Sequence, residues 1–185
     1  NTILLTWIAR VKNLNKSAVF GIVFLLVVIY GCTAPKTITF EQGVKKINEF
    51  DKKFNADMKT PPNSTQQIND MLAQLVGFSA ANQGMPKSLE YLLDFRIKTL
   101  EAERLHIEGW QWGRASTTDW GFGCKKGYPI ITESARIRNS SAQKGYEALN
   151  SLQLLIDEFP EEAKSLNLTQ KDVLFLNAAY YQIEG

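Results

Sequence analysis

Phe40, Val44, Ile47, Phe50, Phe54 and Met58 recur at spacings of three and four, which places them on one face of an amphipathic helix. The same interval governs the apolar residues of nearly the whole chain beyond residue 38, and almost no stretch alternates with the period of two that a half-buried strand requires. That restricts the chain to an all-α architecture. Thr39 with Gln42 makes a capping box at the start of the first helix. Pro61-Pro62-Asn63-Ser64 then breaks the chain, because proline cannot continue a helix and restricts the residue before it. Ser64 and Gln67 read as a second box, opening a helix with Ile68, Met71, Leu72, Leu75 and Val76 on its apolar face, and Asn82-Gln83-Gly84 ends it.

Pro86 opens the longest pattern, with Leu89, Leu92, Leu93, Arg96, Leu100, Arg104, Ile107 and Trp110 or Gln111 along one side. Residues 86–113 predict a helix about 42 Å long at 1.5 Å per residue. Residues 130–158 form its counterpart, with Ile131, Ala135, Tyr146, Leu149, Leu152, Leu155 and Ile156, and Pro160 closes it. A last helix starts at Thr169, where Leu168 can staple against Val173. The expected fold is a helical bundle or helical-hairpin array of about five helices spanning residues 39–185.

Between the two long patterns lies GWQWGRASTTDWGFGCKKGYP, residues 109–129, which holds three of the four tryptophans and five of the twelve glycines. It reads as one long aromatic and glycine-rich loop, a length at which loops are uncommon and often functional. Trp110, Trp112, Trp120, Phe122 and Tyr128 offer flat faces that stack on sugars or grip a partner. The alternative is that these rings pack onto the helix ends and close the core.

The N-terminal part is of another kind. Ala18 to Tyr30 is an apolar run of 13 residues, short of the roughly 20 needed to cross a bilayer and suited to the h-region of a secretory signal. Arg10, Lys12 and Lys16 precede it without an acidic residue, which sets the N-terminal side as cytoplasmic. The run ends in Ile29-Tyr30-Gly31-Cys32, which resembles the lipobox of prokaryotic lipoproteins, with Tyr30 where a small or aliphatic residue is usual. The resemblance implies that residues 1–31 are removed, that Cys32 takes a diacylglycerol and becomes the first mature residue, and that 32–38 form a lipid-anchored linker on the extracytoplasmic face of the cell membrane. Two acyl chains hold firmly where one binds marginally. An uncleaved signal anchor is the other reading. No initiator Met is present and the n-region is long, so translation is expected to start near Val11 with residues 1–10 upstream of it, unless the chain is a fragment of a longer one.

Cys32 to Gly185 carries 18 Lys and Arg against 19 Asp and Glu, a net charge of −1. Neither a basic run nor interleaved aromatics suited to phosphate backbones appear there, so nucleic acid is excluded as a partner. Tyr146-x-Ala148-Leu149, then LLIDEFP and LNAAYYQIEG, is similar to a tetratricopeptide-type helical hairpin, with EEAKSLNLTQKDV as extra residues and no second copy upstream at a period near 34.

Chemistry-bearing residues are few. The single histidine, His106, follows Glu103 in an E-x-x-H that shares a helical face. Di-iron bundles use two such motifs, so at most a lone metal is in question, with Glu133 or Glu147 from a facing helix. Cys124 has no partner if Cys32 is lipidated, and reads as a free or intermolecular thiol; if Cys32 is unmodified, a Cys32–Cys124 bridge is open. Asn63, Asn139 and Asn167 head N-x-[ST] sequons, which mildly favours a glycosylating, archaeal-type host. The expectation is a non-enzymatic surface lipoprotein without a cofactor, acting as a binding or scaffolding domain toward another protein or a glycan. Its rival is an extracytoplasmic metal-binding protein or enzyme using Glu103 and His106.

Overall fold

The computed structural model describes residues 37–62, 64–118 and 124–184, all within the compact unit Thr37–Gly185. Among them are six helices, α1 (Phe40–Lys53), α2 (Thr65–Ala81), α3 (Lys87–Thr118), α4 (Cys124–Glu158), α5 (Pro160–Ser165) and α6 (Gln170–Glu184), and no strand. The all-α expectation holds, with one short helix more than the periodicity indicates, since the extra residues after Pro160 fold as α5 and a turn. The lipobox, Cys32 and the sequon Asn63 lie outside the described residues.

The first cap forms in full. Thr39 Oγ1 accepts from the Gln42 amide at 3.3 Å, and the Thr39 amide donates to Gln42 Oε1 at 3.1 Å. The second is half a box: Ser64 Oγ accepts from the Gln67 amide, but the Gln67 side chain accepts from the Ser64 hydroxyl and not from its amide. Gly84, at φ +81°, makes the left-handed turn that sends the chain into α3. At the last helix, Asp172 accepts from the Thr169 amide at 2.8 Å, and Leu168 and Val173 join the same core.

α3 and α4 pack antiparallel as the spine. The Ser134 hydroxyl donates to the Gly109 carbonyl at 2.8 Å and the Ser141 hydroxyl to the Ala102 carbonyl at 2.7 Å. Seven residues along one helix match seven along the other, so the register is constant over two turns. Small residues make this seam: Ala102, Gly109, Ser134, Ser141 and Ala142 are buried. Ile131 and Ala135, expected on the inner face, are exposed instead, because a search for large apolar residues passes over a seam built of Ser, Ala and Gly. Val76 is likewise exposed on α2.

The main core lies at the other end of the spine, where Leu89, Leu92, Phe95 and Leu100 of α3 meet Ile47 of α1, Met71 and Leu75 of α2, and Leu152 and Leu155 of α4. Arg96 is fully buried there. It bonds the buried Asp51 carboxylate of α1 and donates to the Met58 carbonyl at 3.0 Å. Burial pushes the Asp51 carboxyl above the ordinary carboxylate range, with the Arg96 charge pulling it back. α6 covers α4, with Tyr180 edge-on to Tyr146 and seated where Gly145 has no side chain. Lys59 ties the α1–α2 connection to α6 through Asp172 at 2.6 Å.

Candidate functional site

The expected loop 109–129 is a correction: α3 runs through Thr118 and α4 begins at Cys124, with Pro129 inside it. Glycine costs a helix interior about 1 kcal/mol relative to alanine, which is why the segment reads as loop. Packing outweighs that cost. Gly109 is buried against α4, where a Cβ would sit 2.8 Å from Arg138 Cγ. The result is a two-helix arm beyond the Ala102–Ser141 contact, formed by residues 103–118 and 124–140.

At 100° per residue, positions 106, 110 and 114 of α3 and 131 and 138 of α4 fall on one flank of the arm. Between them is a notch of about 210 Å³ lined by Gly109, Trp110, Gly113, Arg114, Ser134 and Arg138. Two glycines on α3 open it, and the Ser134 hydroxyl crosses its floor to the Gly109 carbonyl. Trp110 is 55% exposed and Ile131 43%. The Trp110 indole N–H donates to His106 Nε2 at 3.0 Å with the rings edge to face.

The opposite flank carries Trp112, 41% exposed, with Glu108 and Glu133, while Glu103 falls between Trp110 and Arg114 on the first flank. Arg136 donates twice to Glu133, at 2.6 and 2.8 Å, which holds the Glu133 carboxyl below its usual range; the Glu108 carboxylate adds to the field on Arg136. Glu147, the other carboxylate considered beside His106, pairs with Lys144 at 3.3 Å. By the seam register it lies about ten residues from the His106 level, roughly 15 Å along the axis. Among the described residues, no group of three or more His, Cys, Asp or Glu is placed to hold a metal ion.

Of the aromatics singled out in the sequence, the structure thus places Trp110 and Trp112 on opposite flanks of one arm. Trp120 and Phe122 lie outside the described residues, and Tyr128 and Cys124 stand in the first turns of α4. Asn139 and Asn167 are exposed, Asn167 in a left-handed turn at φ +54° after α5. What sequence reading missed is the basic pair Arg114 and Arg138. Their common signal, a place beside Gly109, Gly113 and Ser134, exists only once the helices are paired. No family model, curated protein or solved structure matches the chain.

Proposed function

We propose that the chain is a lipid-anchored surface protein whose helical domain acts as a non-enzymatic binding or scaffolding module on the extracytoplasmic face of the cell membrane, toward a membrane surface, another protein or a glycan. The anchoring rests on the sequence: a basic flank, an apolar run of signal length and Ile29-Tyr30-Gly31-Cys32. It agrees with a capped α1 at Phe40, eight residues beyond Cys32. The observation that carries binding is the exposure of Trp110 beside the Arg114–Arg138 notch, on helices held in register by buried serines. A rigid, exposed tryptophan loses little conformational freedom on contact and contributes a large apolar face.

Intact mass and membrane fractionation of the chain expressed from its full gene, beside Cys32→Ser, test this. The expected result is a mature chain beginning at diacylated Cys32 in the membrane fraction, with the variant unprocessed or released. An uncleaved chain with a free Cys32 thiol would overturn lipid anchoring. The rival reading, a metal protein or enzyme built on Glu103 and His106, requires that purified protein carry an ion that His106→Ala loses.

A further inference from the structure

We infer that the Trp110 flank of the α3–α4 arm is a docking surface for an anionic lipid bilayer, with the Arg114–Arg138 notch receiving headgroup phosphate and Trp110 and Ile131 entering the headgroup–acyl boundary. This rests on reading the arm as the contact surface and names its partner.

Charge is the first support. Residues 103–140 carry six Lys and Arg against four Asp and Glu, a net charge of +2, whereas residues 37–102 and 141–185 carry 11 against 15, a net charge of −4. The unit is polarised along its spine, and the positive end is the arm. Of the arm's described carboxylates, Glu103 falls on the Trp110 flank at the base of the arm, close enough to Tyr180 of α6 to act on its hydroxyl, whereas Glu108 and Glu133 lie on the Trp112 flank with Arg136. The Trp110 flank presents Arg114 and Arg138 around a notch wide enough for a phosphate group.

The apolar residues supply the second support. Trp110 and Ile131 expose about half of their surface beside those arginines. An amphipathic aromatic next to guanidinium groups is the pattern that sits at a membrane interface, its ring at headgroup depth and its cations at the phosphates. Position supplies the third. α1 packs on α3 between Leu89 and Arg96, and Tyr180 near the end of α6 packs at Gly145. Ile107 still packs against the main core, and beyond it the arm extends past both, about 17 Å of two-helix rod at 1.5 Å per residue.

The test uses the full chain reconstituted into zwitterionic phosphatidylcholine vesicles, with flotation to read anchoring. Fluorescent acceptor vesicles, phosphatidylglycerol-rich or purely phosphatidylcholine, are then added and vesicle bridging is measured. The expected result is bridging of the phosphatidylglycerol vesicles alone. Arg114→Gln should weaken it about five-fold, the worth of one basic residue near an anionic surface. Trp110→Ser should weaken it comparably, and Trp112→Ser on the opposite flank should leave it unchanged. Equal bridging of both vesicle types, equal loss in Trp110→Ser and Trp112→Ser, or no bridging by a chain that floats would overturn the inference and leave a protein or glycan as partner. A chain that fails to float with the first vesicles contradicts anchoring instead. The same chain is then floated directly with phosphatidylglycerol vesicles, where the same substitutions decide.

Discussion

Replacing Arg96 by methionine removes a guanidinium that is wholly buried, keeps much of the side-chain volume and leaves the Asp51 carboxylate alone in the core. Asp51 Oδ2 already has no hydrogen-bond partner, so the loss of Arg96 strips the group of its compensating charge. Breaking a buried pair from one side costs about 3–5 kcal/mol. The Met58 carbonyl loses its donor as well, a cost of about 1–3 kcal/mol that overlaps the first. A total near 4 kcal/mol is a large part of the roughly 5–15 kcal/mol that holds a domain folded.

Urea unfolding of Arg96→Met followed by far-UV circular dichroism measures it. Adding Asp51→Leu to the same chain should recover most of the loss, because removing both partners of a buried pair is close to neutral. Acid supplies an independent sign. A carboxyl whose folded pKa lies above its unfolded value contributes most below that unfolded value, 3.8 for Asp51, and the contribution is lost as pH rises through the folded pKa. Without Arg96 the folded value climbs further, so the deficit of Arg96→Met should shrink as pH is lowered toward 3.8. A loss below about 1 kcal/mol near neutral pH, or a double variant as unstable as the sum of its singles, would refute the reasoning.

Gly145→Ala places a methyl group into the Tyr180 ring; overpacking of this kind costs about 1–3 kcal/mol, and urea midpoints together with near-ultraviolet circular dichroism should show α6 loosened. An unchanged midpoint would mean that Tyr180 does not rest on α4. Asp57 Oδ1 accepts from the Lys59 and Thr60 amides, each at 2.8 Å. The Lys59 amide foremost holds the Asp57 carboxyl below 3.8; its contribution to stability is present above 3.8 and is lost as pH falls through the lowered value. A carbon-detected NMR titration giving Asp57 a midpoint at or above 3.8 would contradict the turn.

The helical class, the Thr39 cap, the breaks at Pro61 and Gly84 and the place of Arg96 on the face of Leu89, Leu92 and Leu100 were all legible in the chain, because each depends on periodicity or on a residue's effect on its own backbone. Arg96 lay on that stripe, as Arg104 did, but neither its burial nor its partner was legible, since Asp51 belongs to another helix 45 residues away in sequence. The segment 109–129 misled for a definable reason. Glycine and proline report a local preference against helix, whereas Gly109 serves the approach of α4, whose Ser134 and Arg138 lie 25 and 29 residues further along.

The aromatic content of the candidate site was visible from residue 109 onward, and its sidedness was not. Trp110 and Trp112 look equivalent in a segment read as loop; once it is helix, the four-residue spacing puts Arg114 beside one and Glu108 beside the other, and only the pairing of α3 with α4 adds Arg138 and Glu133. What the sequence by itself determined is what local forces decide: helix, cap, break, the signal-like apolar run and the count of charges in each part. What tertiary structure alone decided is which charges and rings share a surface, because that depends on the seam of small residues bringing two distant helices to contact and fixing their register.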